Sequence, residues 1–418
     1  MSDKQKSHKS TINSPSIPPG YKQTEVGVIP EDWEIKPLHA RADKIMVGIA
    51  SAATHAYRDR GIPMFRNQNI KPNRLDDTDI LYIAEDYEVA FKNKRLKSGD
   101  LLTARTGYPG TTSIVPIQYE GAQSFTTLIT RPIRNLVDSN YLCCLINSKA
   151  GQTYFEQNKI GGGQKNVNAG SLKFLPVPLP PTKAEQEAIA EALSDADAFI
   201  ESLEQLIAKK RHIKQGAVQE LLTGKKRLPG FSGEWEVKRL DDVAEIVMGQ
   251  SPDSSSYNIK GLGLPLIQGN ADIENRRTKK RVFTTKLTKP GRCGDILMSV
   301  RAPVGEISRT YFDVCLGRGV CAIRYTNDFL YHYLVFIEPS WASRSKGSTF
   351  DSVNSTDVKS LEIEFPNDFD EQPAIASILS DMDAEIDALE TKLTKARHIK
   401  HGMMHNGSLG FRMVGNPL

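Results

Sequence analysis

The stretch SDADAFIESLEQLIAKKRHIKQG (194–216) returns as SDMDAEIDALETKLTKARHIKHG (380–402). Extended without gaps to 185–216 against 371–402, the two copies agree at 19 of 32 positions, so the chain carries an internal repeat. Apolar residues recur at alternating spacings of four and three: Ile189, Leu193, Ala196, Ile200, Leu203 and Ile207, then Ile375, Leu379, Met382, Ile386, Leu389 and Leu393. That spacing lays them along one stripe of a helix, a seam that packs against a second seam. Thr182 and Glu185 stand at capping-box spacing and predict a start there, with the first helix running to Gly224. Two seams in one chain most economically bury each other. A pseudo-twofold axis relating the homologous halves, if it lies across the pair, makes it an antiparallel coiled coil, which is the arrangement expected, and a helix of about 40 residues spans roughly 60 Å.

The repeat continues outward from the helices. At the same offset of 186, Val167 matches Val353, Asn168 matches Asn354, Lys173 matches Lys359, Leu175 matches Leu361 and Pro180 matches Pro366. WEIKPL (33–38) matches WEVKRL (235–240). Between these anchors only echoes remain: IPMF (62–65) with LPLI (264–267), and GDLL (99–102) with GDIL (294–297). The scaffold is duplicated and its filling is not. Short apolar runs bounded by turn residues, such as DLLTAR, TSIVPI, DILMSV and GVCAIRY, predict strands, and YLCCLINSKAGQTYFEQ (141–157) predicts helix. The expected fold class is mixed α/β (α+β): two α/β domains separated by two long helices. The expected segments are a disordered tail over 1–20, a first domain over 21–180, a spacer helix over 181–227, a second domain over 228–366, a second spacer helix over 367–410 and a tail over 411–418. After Gly402 the copies part, and Asn406, Gly407 and Gly410 are expected to fray the last turns.

Composition excludes several classes. No run of eighteen apolar residues occurs, and MSDKQKSHKSTINSPSIPPG lacks the apolar core of a signal peptide, so a cytoplasmic protein without a membrane partner is expected. Five cysteines at irregular spacing fit neither a disulfide framework nor zinc knuckles and read as reduced thiols. Lys and Arg number 54 against 50 Asp and Glu, so net charge argues little for nucleic acid, although basic runs such as KNKRLK (92–97) and RRTKKR (276–281) recur. IGGGQKNVN (160–168) lacks the Lys-Ser/Thr end of a nucleotide-binding loop, which argues against ATP. His398, His401 and His405 share a helical face without a Cys or acidic partner, so no metal site is expected. EIK (34–36) and EVK (236–238) lack the Pro-Asp strand of a nuclease motif, and no glycine-rich cofactor loop or Asn/Asp-Pro-Pro-aromatic motif for methyl transfer is present. No catalytic residue is assigned.

Several stretches together resemble the specificity subunits of type I restriction-modification systems. They are TEVGVIPEDWEIKPL, GFSGEWEVKRLDDVAEI, MGQSPDSSSYNIKGLGLPLIQGNADI, SVRAPVGE, GRGV and LPPTKAEQEAIAEALSDADAFIESLEQLIAKKRHIKQGAVQELLTGK, and they cover the chain from about Gly20 onward. The resemblance implies two target-recognition domains, each reading one half of a split, asymmetric sequence in double-stranded DNA. It further implies that the paired helices hold the domains apart and dock two modification (methyltransferase) subunits, with two restriction subunits as further partners. No cofactor is then bound by this chain; S-adenosylmethionine, ATP and Mg belong to the partner subunits. Rival readings are a coiled-coil adaptor indifferent to DNA and a stand-alone DNA-modifying enzyme.

Readers of DNA need Arg or Lys for guanine edges, Asn or Gln for adenine edges, and small polar or cationic groups for phosphates. By composition the first domain offers Arg58, Arg60, Arg66, Asn67, Gln68, Asn69 and Lys71, then Arg105, Thr106 and Tyr108, with Lys165 for a phosphate. The second offers Gln250, Ser251, Tyr257, Gln268, Asn270 and Arg301. The helix seam is expected at Ile189, Leu193, Ile200, Leu203, Ile207, Ile375, Leu379, Ile386, Leu389 and Leu393.

Overall fold

A computed structural model describes residues 17–51, 53–158, 166–344 and 352–405. They form two units, one of residues before Leu203 together with those from Leu393 on, the other of Leu203–Lys392. The central helix, Lys183–Leu221, and the distal helix, Glu371–His405, each contribute to both. The central helix begins as its sequence predicts, with Thr182 Oγ1 accepting the Glu185 amide at 3.2 Å, and it ends three residues before Gly224. The fraying expected at Asn406, Gly407 and Gly410 lies outside the described residues.

Ion pairs fix the direction of helix packing inside each unit. In the second unit Lys210 meets Glu385 at 2.6 Å, Arg211 meets Glu390 at 2.5 Å, and Lys214 meets Asp383. In the first, Lys400 pairs with Asp197. Lys210 and Lys214, one turn apart, pair with Glu385 and then Asp383, so numbers rise along one helix as they fall along the other and the coiled coil is antiparallel. Ile189, Leu193, Leu203, Ile207, Ile375, Leu379 and Ile386 are buried, whereas Ile200, Leu389 and Leu393 are half-buried. Ile189 and Leu193, like Ile375 and Leu379, also join the core of an α/β body, which covers the side of the seam that a lone partner helix leaves open.

Each unit is α/β, with two main sheets. In the first, one sheet runs in the order Thr112–Ile114, Leu101–Thr103, Leu128–Pro132, Ala42–Val47, all antiparallel, with Leu101 opposite Thr130. The other runs Gln123–Ser124, Ile62–Phe65, Leu81–Ile83, Tyr57–Arg58, and its first pair is parallel. The second unit repeats this plan. Glu245–Met248, Val320–Arg324, Ile296–Ser299 and Ile307–Arg309 lie side by side, and Leu264–Ile267 runs parallel to Val314–Leu316. The repeated Trp-Glu strands each close a domain: Glu34–Pro37 pairs with Pro176–Leu179, and Trp235–Arg239 with Glu362–Pro366, the segment leading into a long helix.

The GDLL and GDIL echoes mark a duplicated buried ion pair. Asp100, 1% exposed, accepts Arg131 Nε at 2.9 Å and Nη2 at 2.7 Å; Asp295 accepts Arg324 Nε at 3.1 Å. Each aspartate also ties its own turn by accepting a backbone amide, of Lys97 or of Arg292. All five cysteines are free; Cys143, Cys315 and Cys321 are buried.

His332 carries a pH dependence for the second unit. It lies on the helix Phe329–Arg344, 4% exposed, with Nε2 2.9 Å from Ser380 Oγ of the distal helix. Burial lowers its pKa from 6.5 to about 4 against the opposing pull of Asp383; Lys214 and Arg309 lower it further and Asp328 raises it. The folded unit keeps the ring neutral while the unfolded chain protonates it, so stability is full above pH 6.5 and lost as pH falls through 4. Urea melts are expected to lose about 3 kcal/mol across that window on this account, and His332→Gln is expected to flatten the loss. An equally steep acid limb in the variant would assign the loss to other groups.

Candidate nucleic-acid interface

In the first unit, the chain leaving the strand Ile62–Phe65 is organised by Asn69, which is 2% exposed. Its Oδ1 accepts the Arg66 amide at 2.8 Å, and its Nδ2 donates to the carbonyls of Asp76 and Asp79 at 3.0 Å. A buried Asn so fully engaged shapes the loop rather than meeting a ligand. Asn67 ties three loops together: its Oδ1 accepts the Arg105 amide at 2.7 Å and its Nδ2 donates to Thr126 Oγ1 at 3.1 Å. Arg105 follows the strand Leu101–Thr103, and Thr126 sits at φ 53°. Residues that are 59 apart in sequence thereby form one surface.

The side chains around this knot differ in availability. The Arg66 guanidinium and the Gln68 amide both engage Asp79 Oδ2, at 2.8 and 2.6 Å. Lys71 faces Asp76 at 3.9 Å. Enclosed Nε atoms of Arg66 and Arg105 have no hydrogen-bond partner. Thr106 starts a tight turn through Gly107, at φ 76°, that leaves Tyr108 80% exposed. The Val167 amide donates to the Arg105 carbonyl, bringing the end of the IGGGQKNVN stretch to the same loop; Lys165 itself lies outside the described residues.

Arg58 and Arg60 do not join this group. Arg58 lies level with Pro63 on the far side of the strand Leu81–Ile83, so two strand spacings, about 10 Å, separate it from the strand that leads to Arg66. Arg58 donates instead to the carbonyls of His55 and Tyr57.

The second unit builds a parallel arrangement from other residues. Gln268 follows the strand Leu264–Ile267, and its backbone N–H donates to Asp272 Oδ2 at 2.8 Å; the Asn270 side chain donates to Glu306 in the SVRAPVGE loop. Exposed Arg301 follows the strand Ile296–Ser299, as Arg105 follows its counterpart. Gln250 and Ser251 meet the GRG turn: the Gln250 backbone N–H donates to the Leu316 carbonyl, and Ser251 Oγ accepts the Arg318 backbone N–H at 3.1 Å. Tyr257 reaches back to them, its hydroxyl donating to Pro252 at 3.1 Å. Glycine is required at 319, where a Cβ would lie 2.0 Å from the Gln268 carbonyl oxygen. Composition alone overlooked exposed Arg318; its flanking glycines, which bring its loop against Gln268, were the available signal. Thr126 gave none, since nothing local marks its contact with Asn67.

Residues 30–210 and 232–397 match the family model described as type I restriction modification DNA specificity domain. The chain is 32% identical over 403 residues to the type I restriction enzyme MjaX specificity subunit of Methanocaldococcus jannaschii, covering 91% of this chain and 93% of that one. It is 24% identical over 260 residues to the type I restriction enzyme EcoKI specificity subunit of Escherichia coli, covering 58% and 54%. Among solved structures, a type I restriction-modification S subunit from M. genitalium superposes with a TM-score of 0.62 at 15% identity, covering 90% of this chain and 96% of that one. A chain from a study of complex assembly in the type I R-M system gives 0.52 at 23%, covering 91% and 98%.

Proposed function

Because the chain belongs to the type I restriction-modification DNA specificity family, we propose that each of its α/β domains reads one half of an asymmetric, two-part DNA target while the paired helices set the gap. The observation that carries this reading is the same loop framework built twice with different side chains. Asn67, Arg105 and Thr126 meet in one domain; Gln268, Asn270, Arg301 and Arg318 gather in the other. Identical domains would read a palindrome. Different ones on a duplicated scaffold read two unlike half-sites.

The helices also dock two methyltransferase subunits, and restriction subunits join that complex. The partners bring S-adenosylmethionine, ATP and Mg, and this chain supplies recognition without chemistry of its own, in the cytoplasm. No described helix is long and apolar enough to cross a membrane. Arg105 and Arg301 are assigned the central base contacts of their half-sites, since both leave the end of a buried strand held by an Asp–Arg pair. Lys165 and Arg318 are assigned to phosphate.

Genome-wide mapping of methyladenine in a strain carrying the intact system tests this reading, with one motif of two short blocks at a fixed gap as the expected result. Methylation without sequence preference would leave the adaptor reading. Methyl transfer by the purified chain alone would revive the enzyme reading. Arg105→Ala is expected to relax one block by about 1–3 kcal/mol per contacted base, and Arg301→Ala the other. Uniform weakening on every sequence, with a shallower salt dependence, would reassign both to phosphate contact.

A further inference from the structure

Both domains hold a side-chain amide at one aligned place. At the offset of 202 that matches IPMF with LPLI, Gln68 falls on Asn270, each the third residue past the end of its strand. Single helical turns, Asn67–Asn69 and Asn270–Asp272, carry them. In the first domain Gln68 Nε2 donates to Asp79 Oδ2 at 2.6 Å. In the second, Asn270 Nδ2 donates to Glu306 Oε2. The two acids come from unlike places, since Asp79 lies beyond the strand Arg74–Leu75 and Glu306 immediately before the strand Ile307–Arg309. The same device is thus built twice from different parts.

A carboxylate only accepts, so it must face the NH2 of the amide and never the oxygen. That fixes an orientation which a hydroxyl or a second amide, able to donate as well as accept, would leave open. Among the described residues no donor meets Gln68 Oε1 or Asn270 Oδ1. Gln68 is exposed and Asn270 half-buried. Arg66 Nη2 lies 2.8 Å from the same oxygen of Asp79 and offsets its charge, so the acid can stand at a surface that meets a polyanion.

We propose that Asp79 and Glu306 are positioning residues that set which base edge is read: each holds an amide with its oxygen toward the major groove, where Gln68 in one half-site and Asn270 in the other take a base bearing an exocyclic amine. This inference rests on the reading of each domain as the reader of one half-site. In the major groove only adenine N6 and cytosine N4 offer such a donor. Guanine O6 and thymine O4 are acceptors, and set against an amide oxygen they leave both groups without a partner. Adenine is preferred, because the second N–H of the amide can meet its N7, which has no equivalent on cytosine. An amide freed from its acid turns over and takes guanine or thymine through its N–H groups. The acids therefore act on specificity without touching the base.

The test uses the full-length chain assembled with its methyltransferase partner, acting on duplexes of the mapped target in which one position at a time is changed to each base. Gln68→Ala locates the position that this side chain reads, as the one whose base preference disappears, and Asn270→Ala locates the other. At both positions the parent complex is expected to methylate duplexes with A or C on the contacted strand about tenfold or more faster than those with G or T. Asp79→Asn, whose new amide can donate as well as accept, is expected to shrink that ratio below about threefold at the Gln68 position alone, while Asp79→Glu keeps it. Glu306→Gln is expected to do the same at the Asn270 position. Unchanged preferences in Asp79→Asn and Glu306→Gln, a uniform loss of rate on every sequence, or broadening at other positions would each overturn the proposal and leave the two-part motif standing. A parent complex that methylates without a two-part motif would overturn the reading of the domains as well.

Discussion

Adding one heptad to both long helices is expected to move the two recognised blocks apart by roughly three base pairs without changing either block. Seven residues lengthen a helix by about 10 Å, and duplex DNA rises 3.4 Å per base pair. A heptad preserves the seam, since each apolar position returns to its own face, whereas three or four extra residues would rotate it. From sequence, insertion after Leu203 and after Leu389 suffices. Cross-helix pairing refines the choice: Arg211–Glu390 must keep its register and Asp197–Lys400 its own, so the matched points are after Ser202 and after Lys392. Methyladenine mapping reads the outcome directly. An unchanged gap would show that the helices join the domains without measuring between them.

Arg131→Ala is expected to cost about 3–5 kcal/mol, enough to unfold many domains of ordinary stability, because it strands a buried carboxylate. Asp100 is 1% exposed and the Arg131 side chain 12%, and the guanidinium, whose pKa the Asp100 hydrogen bond raises, covers both carboxylate oxygens. The change also reaches recognition, since Asp100 opens the strand from which Arg105 emerges. Arg131→Met, with Asp100→Leu beside it, is expected to recover part of the stability, as replacing both members of a buried pair with apolar groups often does, the remainder being lost with the bond that Asp100 accepts from the Lys97 backbone N–H. Denaturant melts of the three chains decide the matter. A loss below about 1 kcal/mol for Arg131→Ala would mean that water reaches Asp100 and that the pair acts as a surface one.

Candidate contacts were only partly legible in the sequence. Asn67 and Asn69 stand two apart and share a residue type, yet Asn69 is consumed inside its loop while Asn67 ties Arg105 to Thr126. Arg58 and Arg66 are equally basic, but the strand Leu81–Ile83 lies between Arg58 and the strand that leads to Arg66. Residue type reports the chemistry a side chain can do; which chemistry remains available depends on neighbours that are remote in sequence.

By itself the sequence determined the duplication, the mixed α/β class, the two long helices and their seams. These are periodic features of a single segment, and periodicity follows from backbone geometry that each segment carries locally. The antiparallel pairing expected from the duplicated seams is met by contacts such as Lys214–Asp383 and Lys400–Asp197, whereas tertiary structure alone decided that Arg318 belongs beside Gln268. It also decided that an acid kept in both copies, Glu185 and Glu371, meets an indole in one and a guanidinium in the other. Such partners are 50 to 203 residues apart in the chain, and they meet only after burial of the apolar stripes has chosen which faces close.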